Sequence, residues 1–269
     1  MKTKQLYNGV DIPLLGLGTW KATGREVERA VRTALELGYR HIDTAKIYAN
    51  EKRVGAVIRA SGIPREQIFV TTKLWNWNQG FEKGLKAFEA SRAALGLDYI
   101  DLYLIHWPKP RTRQDSWRAL ETIYQSGACK AIGVSNYTLR HLEEMKTYAT
   151  VMPMVNQVEF HPFLYQKELF EYCLANNIAL EAYSPLAHGK RQEDPVIVEI
   201  ARTHGKSNAQ IFLRWSIQHG NIILPKSTNP ERIGENTKIF DFELSVGEMG
   251  RIDGLNENYR TCWDPSEVV

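Results

Sequence analysis

Polar side chains recur at the ends of short apolar runs, with a spacing that leaves few folds open. Asp43, Lys73, His106, Ser135, Glu159, Tyr183 and Lys226 each close such a run, and successive members lie 24 to 33 residues apart until a last gap of 43. An interval of that size holds one strand, one helix and two loops, and parallel strands need helical crossovers. The last gap holds two helical patterns, near 195–203 and 208–218. With the run at 14–20 as a first strand, the expected strands are 14–20, 39–45, 68–74, 100–106, 131–135, 154–159, 178–183 and 222–225.

Helical patterns fill the intervals. Val27, Ala30, Val31, Ala34 and Leu35 form one apolar stripe that Gly38 closes, and further helices are expected over 50–60, 81–95, 115–125, 138–148 and 166–176. Asn8-Gly9 between apolar residues predicts an N-terminal hairpin. No linker divides the chain. The expectation is therefore an α/β protein, one (β/α)8 barrel domain over residues 1–269, with an N-terminal β-hairpin and extra helices late in the chain. A doubly wound sheet is the alternative, on the strength of Gly16-Leu17-Gly18 and the later Asp43. Lys21 occupies the third glycine's place and Trp20 would crowd a pyrophosphate, so the pair reads instead as glycines that let a strand end turn tightly.

Composition narrows the function classes. At 43% hydrophobic and 24% charged the chain is neither disordered, collagenous nor coiled coil, and a net charge of +3 is too small to imply nucleic acid or an anionic membrane. Three cysteines without a C-x-x-C, and no apolar run of membrane-spanning length, point to a cytoplasmic protein. The seven histidines form no H-x-x-x-H or Cys/His cluster, so no metal is expected.

In a barrel the chemistry sits at the carboxyl ends of the strands. Strand alternation puts Lys73 on one side with Thr71, His106 with Leu104, and Asp43 with His41. Tyr48, just past the second strand, is a candidate proton donor, although a free phenol near pKa 10 is a poor acid at neutral pH. A neighbouring Lys73 would favour the phenolate and lower that pKa, Asp43 would hold the lysine charged, and a neutral His106 would fix a substrate oxygen. Such a set suits hydride addition to a carbonyl, and no side chain supplies a hydride, so a reduced cofactor is required. Lys226, Ser227 and Arg232 surround the start of a helix opened by Pro230, where free N–H groups and basic side chains would bind a phosphate. Tyr183 could stack on a flat ring.

The stretches 38–51, 72–76 and 101–108 resemble the catalytic motifs of the aldo-keto reductases, and 133–136, 156–159, 182–186 and 224–227 resemble that family's cofactor motifs. The resemblance runs from the hairpin to about Asp253. It implies an NADPH-dependent reductase of aldehydes and ketones on a TIM barrel, with Tyr48 as general acid, Lys73 and Asp43 tuning it and His106 orienting the carbonyl. It further implies that Ser135, Asn136 and Gln157 bind the cofactor carboxamide, Tyr183 stacks under the nicotinamide, and Ser184 and Leu186 follow the pyrophosphate. Lys226, Ser227 and Arg232 would grip the 2′-phosphate, with Glu235 and Asn236 near the adenine.

Trp20, Trp77 and Trp107 fall on the loops that would wall the substrate pocket, whereas Trp75 reads as structural. A short loop after Tyr183 and a short tail beyond Gly254 resemble the compact prokaryotic and protist branch that includes 2,5-diketogluconate reductases. The expected partners are a small-molecule carbonyl and NADP(H), with the protein a monomer bound to neither nucleic acid nor membrane. Two other classes remain as alternatives: a Schiff-base lyase or aldolase using Lys73, which a charged lysine disfavours, and a non-catalytic NADPH-sensing module.

Overall fold

The computed structural model describes residues 2–268. A hairpin of β1 (Thr3–Gln5) and β2 (Asp11–Pro13) opens the chain, its turn reached through Gly9 at φ +86°. Eight parallel strands follow: β3 (Leu17–Gly18), β4 (His41–Asp43), β5 (Phe69–Leu74), β6 (Ile100–Ile105), β7 (Cys129–Ser135), β8 (Val155–Glu159), β9 (Ala179–Tyr183) and β10 (Ile222–Leu224). They neighbour one another in chain order, and parallel bridges Leu15–Ile223 and Gly18–Lys226 join first to last and close the barrel. Seven of these eight strands lie inside runs expected from the sequence, and β7 starts two residues before its run, at Cys129 rather than Ala131.

The helices are α1 (Gly24–Glu36), α2 (Glu51–Ala60), α3 (Phe81–Leu95), α4 (Arg113–Gln125), α5 (Leu139–Met145), α6 (Lys167–Ala175), α7 (Pro195–His204), α8 (Asn208–Gln218), α9 (Pro230–Glu235) and α10 (Val246–Asp253). All five residues of the stripe expected on α1 are buried. Gly38, at φ +91°, takes the left-handed conformation just past its end that a side chain would resist. Gly55 lets α2 approach the end of α3, since a Cβ there would stand 1.9 Å from the Leu95 carbonyl oxygen. No helix among the described residues is long and apolar enough to cross a membrane.

Two features differ from the sequence reading. The first strand is reduced to Leu17–Gly18, and neither Gly16 nor Gly18 takes a positive φ. Their role is close approach rather than a tight turn: a Cβ on Gly16 would lie 2.6 Å from Leu224 Cδ2 and 2.7 Å from His41 Nδ1, and one on Gly18 would lie 3.1 Å from the Leu224 carbonyl oxygen. Barrel closure thus depends on two residues without side chains. α10 is the second feature, and it escaped the periodicity because only Ile252 on it is buried. Its Ser245-x-x-Glu248 capping box was the available signal.

Candidate active site

The strand ends converge on a buried cluster of ionisable groups. Lys73, fully buried on β5, donates from Nζ to both carboxylate oxygens of Asp43 on β4, each at 2.7 Å, and to the Thr44 carbonyl at 2.9 Å. Asp43 pairs in register with Thr71, so neighbouring parallel strands deliver both side chains to one end of the barrel. Burial pushes the Asp43 carboxyl up, while Lys73 and Gln157 oppose that rise.

Tyr48 reaches the same place from the short 3-10 turn Lys46–Tyr48, which ends at Ala49 in the left-handed region, φ 54°. Buried Asn50 fixes this turn: it accepts from Thr44 Oγ1 at 2.5 Å and donates to the Thr19 and Ala22 carbonyls, both at 3.1 Å. Lys73 Nζ lies 5.1 Å from the centre of the Tyr48 ring, and His106 meets that ring edge-on at 5.9 Å. Burial, and also the Lys73 charge, hold His106 well below the usual histidine range, so its imidazole is neutral. His106 Nδ1 is buried without a hydrogen-bond partner.

The expected tuning of Tyr48 takes the opposite sign. Its phenol is pushed well above 10, by burial first and then by the charges of Asp43 and Cys262. Lys73 spends its hydrogen bonds on Asp43 and Thr44, and desolvation of the phenolate outweighs what remains of its field.

A second group of expected residues lies on β7, β8 and β9. Ser135 Oγ donates to the Gln157 carbonyl at 2.8 Å, Asn136 Nδ2 to the His106 carbonyl at 2.9 Å, and the Tyr183 hydroxyl to Asn136 Oδ1 at 2.7 Å. Asn136 and Ser184, each just past the carboxyl end of a strand, hold positive φ of 63° and 47°, and Ala187 and His188 do so at 47° and 54° in the turn that follows β9. Gln157 departs from expectation, because its Nε2 donates inward to Asp43 Oδ2 at 3.0 Å and to Glu181 Oε2 at 2.6 Å. Ser184 Oγ lies 2.9 Å from His188 Nε2 and 3.7 Å from Cys262 Sγ, while Leu186 is half-buried against the core.

Across the barrel seam, Lys226 and Arg232 are exposed and form no ion pair among the described residues, and Ser227 Oγ donates to the Asn229 carbonyl at 3.3 Å. The α9 N-terminus is less open than expected: Asn229 Oδ1 already accepts from the Arg232 N–H at 2.9 Å. Asn236 is buried, and Glu235 accepts from Gln210 through its carbonyl.

The tryptophans rim this cluster separately. Trp20 stacks on His188 at 5.6 Å, Trp107 meets Trp263 at 5.9 Å, and Trp77 is 77% exposed. Trp75, read as structural, packs edge-on against His106 at 5.1 Å and belongs to the site. Glu159, named only as a strand end and within the 156–159 motif, the tail, named only for its shortness, and Glu181 carried no site role in the sequence reading. Glu159 accepts from the Thr261 N–H at 2.7 Å, the Thr261 hydroxyl and the Cys262 N–H at 3.2 Å, which brings the tail over the mouth. Strand alternation places Glu181 on the side of Tyr183, a signal present in the sequence.

Residues 14–257 match the sequence profile of the Aldo/keto reductase family. A 9,11-endoperoxide prostaglandin H2 reductase of Trypanosoma cruzi is 53% identical, over 97% of this chain and 93% of its own. A glyoxal reductase of Bacillus subtilis is 51% identical, over 99% and 97%. The crystal structure of an aldo-keto reductase from a Medee basin deep-sea metagenome library superposes with a TM-score of 0.95 at 46% identity, covering 99% of each chain.

Proposed function

The chain belongs to the aldo/keto reductase family, oxidoreductases that reduce carbonyls, and from that membership we propose that it is an NADPH-dependent reductase with Tyr48 as proton donor. The observation that carries the assignment is the Tyr48 ring lying close both to the Lys73–Asp43 pair and to a neutral His106 whose Nδ1 is unpartnered.

The residues present suit the cofactor. Ser135 and Asn136 offer hydroxyl and amide groups near Tyr183, whereas the Gln157 amide N–H groups are engaged inward, and the unpaired Lys226 and Arg232 suit a 2′-phosphate with Ser227. Ser184 and Leu186 lie between these ends along the chain, and Glu235 and Asn236 would flank the adenine. Bound there, a reduced nicotinamide supplies the hydride. His106, neutral, holds the substrate oxygen by a single N–H, and Tyr48 gives its phenolic proton to that oxygen. A phenol held above 10 still serves, because an alkoxide is a far stronger base than a phenolate, and its high pKa keeps the proton in place until that charge develops. Lys73, anchored by Asp43, lies close enough to stabilise the phenolate left behind.

Trp20, Trp75, Trp77 and Trp107 would supply aromatic surface around the substrate, and the similarity to a glyoxal reductase directs attention to small aldehydes and α-dicarbonyls. A panel of aldehydes, α-keto aldehydes, quinones and keto sugars, read by NADPH and NADH oxidation, tests the proposal. Turnover of one class with NADPH preferred is expected. Tight NADPH binding without turnover across the panel would favour a sensing module.

A further inference from the structure

Beneath the proposed acid lies a second carboxyl that the reaction as described does not use. Glu181, on β9, is fully buried. Its Oε2 accepts from Gln157 Nε2 at 2.6 Å, and the same nitrogen donates to Asp43 Oδ2 at 3.0 Å, so one amide bridges two carboxyl groups in the barrel interior. Glu181 Oε1 has no hydrogen-bond partner, and His41 Nε2 stands 3.6 Å from it.

The groups facing Glu181 are few. β4 presents His41 and Asp43, β5 presents Lys73, β8 presents Gln157, and on β10 the register partner is Ile222. Lys73 is the one ammonium among them, and both Asp43 oxygens already engage it. His41 does not supply a second cation: burial brings it down to about 3, and its Nε2 lies 3.0 Å from Thr71 Oγ1. Two dry carboxylates against a single cation would leave an unbalanced negative charge, which a protein interior relieves by keeping one of them protonated. Glu181 is the one without a cation.

We propose that Glu181 is a positioning residue of this site, a buried protonated carboxyl that reaches Asp43 through Gln157 and, on losing its proton, slows proton donation from Tyr48. The sign follows from charge. An added negative charge below Asp43 further disfavours the Tyr48 phenolate and competes for the Lys73 field, so the carbonyl is reduced more slowly. Burial and the Asp43 charge raise the Glu181 carboxyl to about 8, which puts the loss in the mildly alkaline range. The inference rests on the assignment of Tyr48, Lys73 and Asp43 above.

Glu181→Gln tests it, because glutamine still accepts from Gln157 and cannot ionise. The parent protein should lose about three- to tenfold in kcat between pH 7 and 9 in a step that the variant lacks, while kcat at pH 6 and KM stay within about twofold. Without turnover, infrared spectra of the free protein should show a carboxylic-acid carbonyl band at pH 6 that fades by pH 9 and is missing in Glu181→Gln. A variant that keeps the parent's alkaline step, or falls equally at every pH, overturns the proposal, as does the absence of the band. If the parent turns over no carbonyl, the reductase assignment fails by itself while the infrared arm still reports on the proton.

Discussion

Tyr48 is a weak acid made weaker by its setting, and that is compatible with the proposed proton donation only if the group protonated is strongly basic. Its partners were readable from the sequence because strand ends and alternation bring Asp43, Lys73 and His106 to one rim. The direction of its pKa was not, since desolvation depends on how completely the loops and tail cover the ring. Replacement by phenylalanine removes the proton and little else: Tyr48→Phe should lower kcat by about a hundred- to ten-thousandfold with NADPH affinity nearly unchanged, measured by single turnover and fluorescence titration. Retained turnover would remove Tyr48 from the mechanism. Gln157 and Trp75 taught the reverse lesson. The first was expected to face the cofactor and spends its amide on Asp43 and Glu181, and the second was read as structural but touches His106.

At the scale of elements, the strands and most helices follow from periodicity because a barrel strand is buried on both sides and a crossover helix on one. Short pieces were harder to read. β3 shrank to two residues where glycines admit Leu224 and His41, and α10 buries too little to show a stripe. The tail could not be placed from spacing, since it is held by the Glu159 carboxylate and by hydrogen bonds from Arg140 and His141 to the Val268 carbonyl. α9 was expected to offer phosphate its bare N-terminus. With Asn229 capping it, the proposed selectivity for a 2′-phosphate would fall mainly on side chains. Replacing Lys226 and Arg232 together by alanine should therefore weaken NADPH about ten- to hundredfold and leave NADH within about threefold, as calorimetry would measure. Equal losses would place the phosphate elsewhere.

For the whole molecule, the barrel interior carries groups whose neutral forms are favoured, and folding is linked to pH through them. His41 falls from 6.5 to about 3, so its contribution is present above pH 6.5 and is lost as pH falls toward 3. Glu181 rises from 4.5 to about 8, so its contribution is present below pH 4.5 and is lost as pH rises toward 8. The two slopes oppose each other between pH 4.5 and 6.5. Above that window Glu181 alone acts, at a rate of up to about 1.4 kcal/mol per pH unit. Thermal denaturation of Glu181→Gln should accordingly show a smaller drop in Tm from pH 6.5 to 8 than the parent protein, and an equal drop would mean that Glu181 is already ionised in the folded state.

In the proposed reaction this barrel passes hydride from a nicotinamide to a carbonyl carbon while Tyr48 protonates the oxygen. Mass spectrometry of the alcohol formed from an accepted carbonyl and NADPH deuterated at nicotinamide C4 tests it most directly. One deuterium on the former carbonyl carbon, with label transfer reduced in parallel with turnover in Tyr48→Phe, is the predicted result. Alcohol formed without deuterium at that carbon, or at an undiminished rate in the variant, would contradict it.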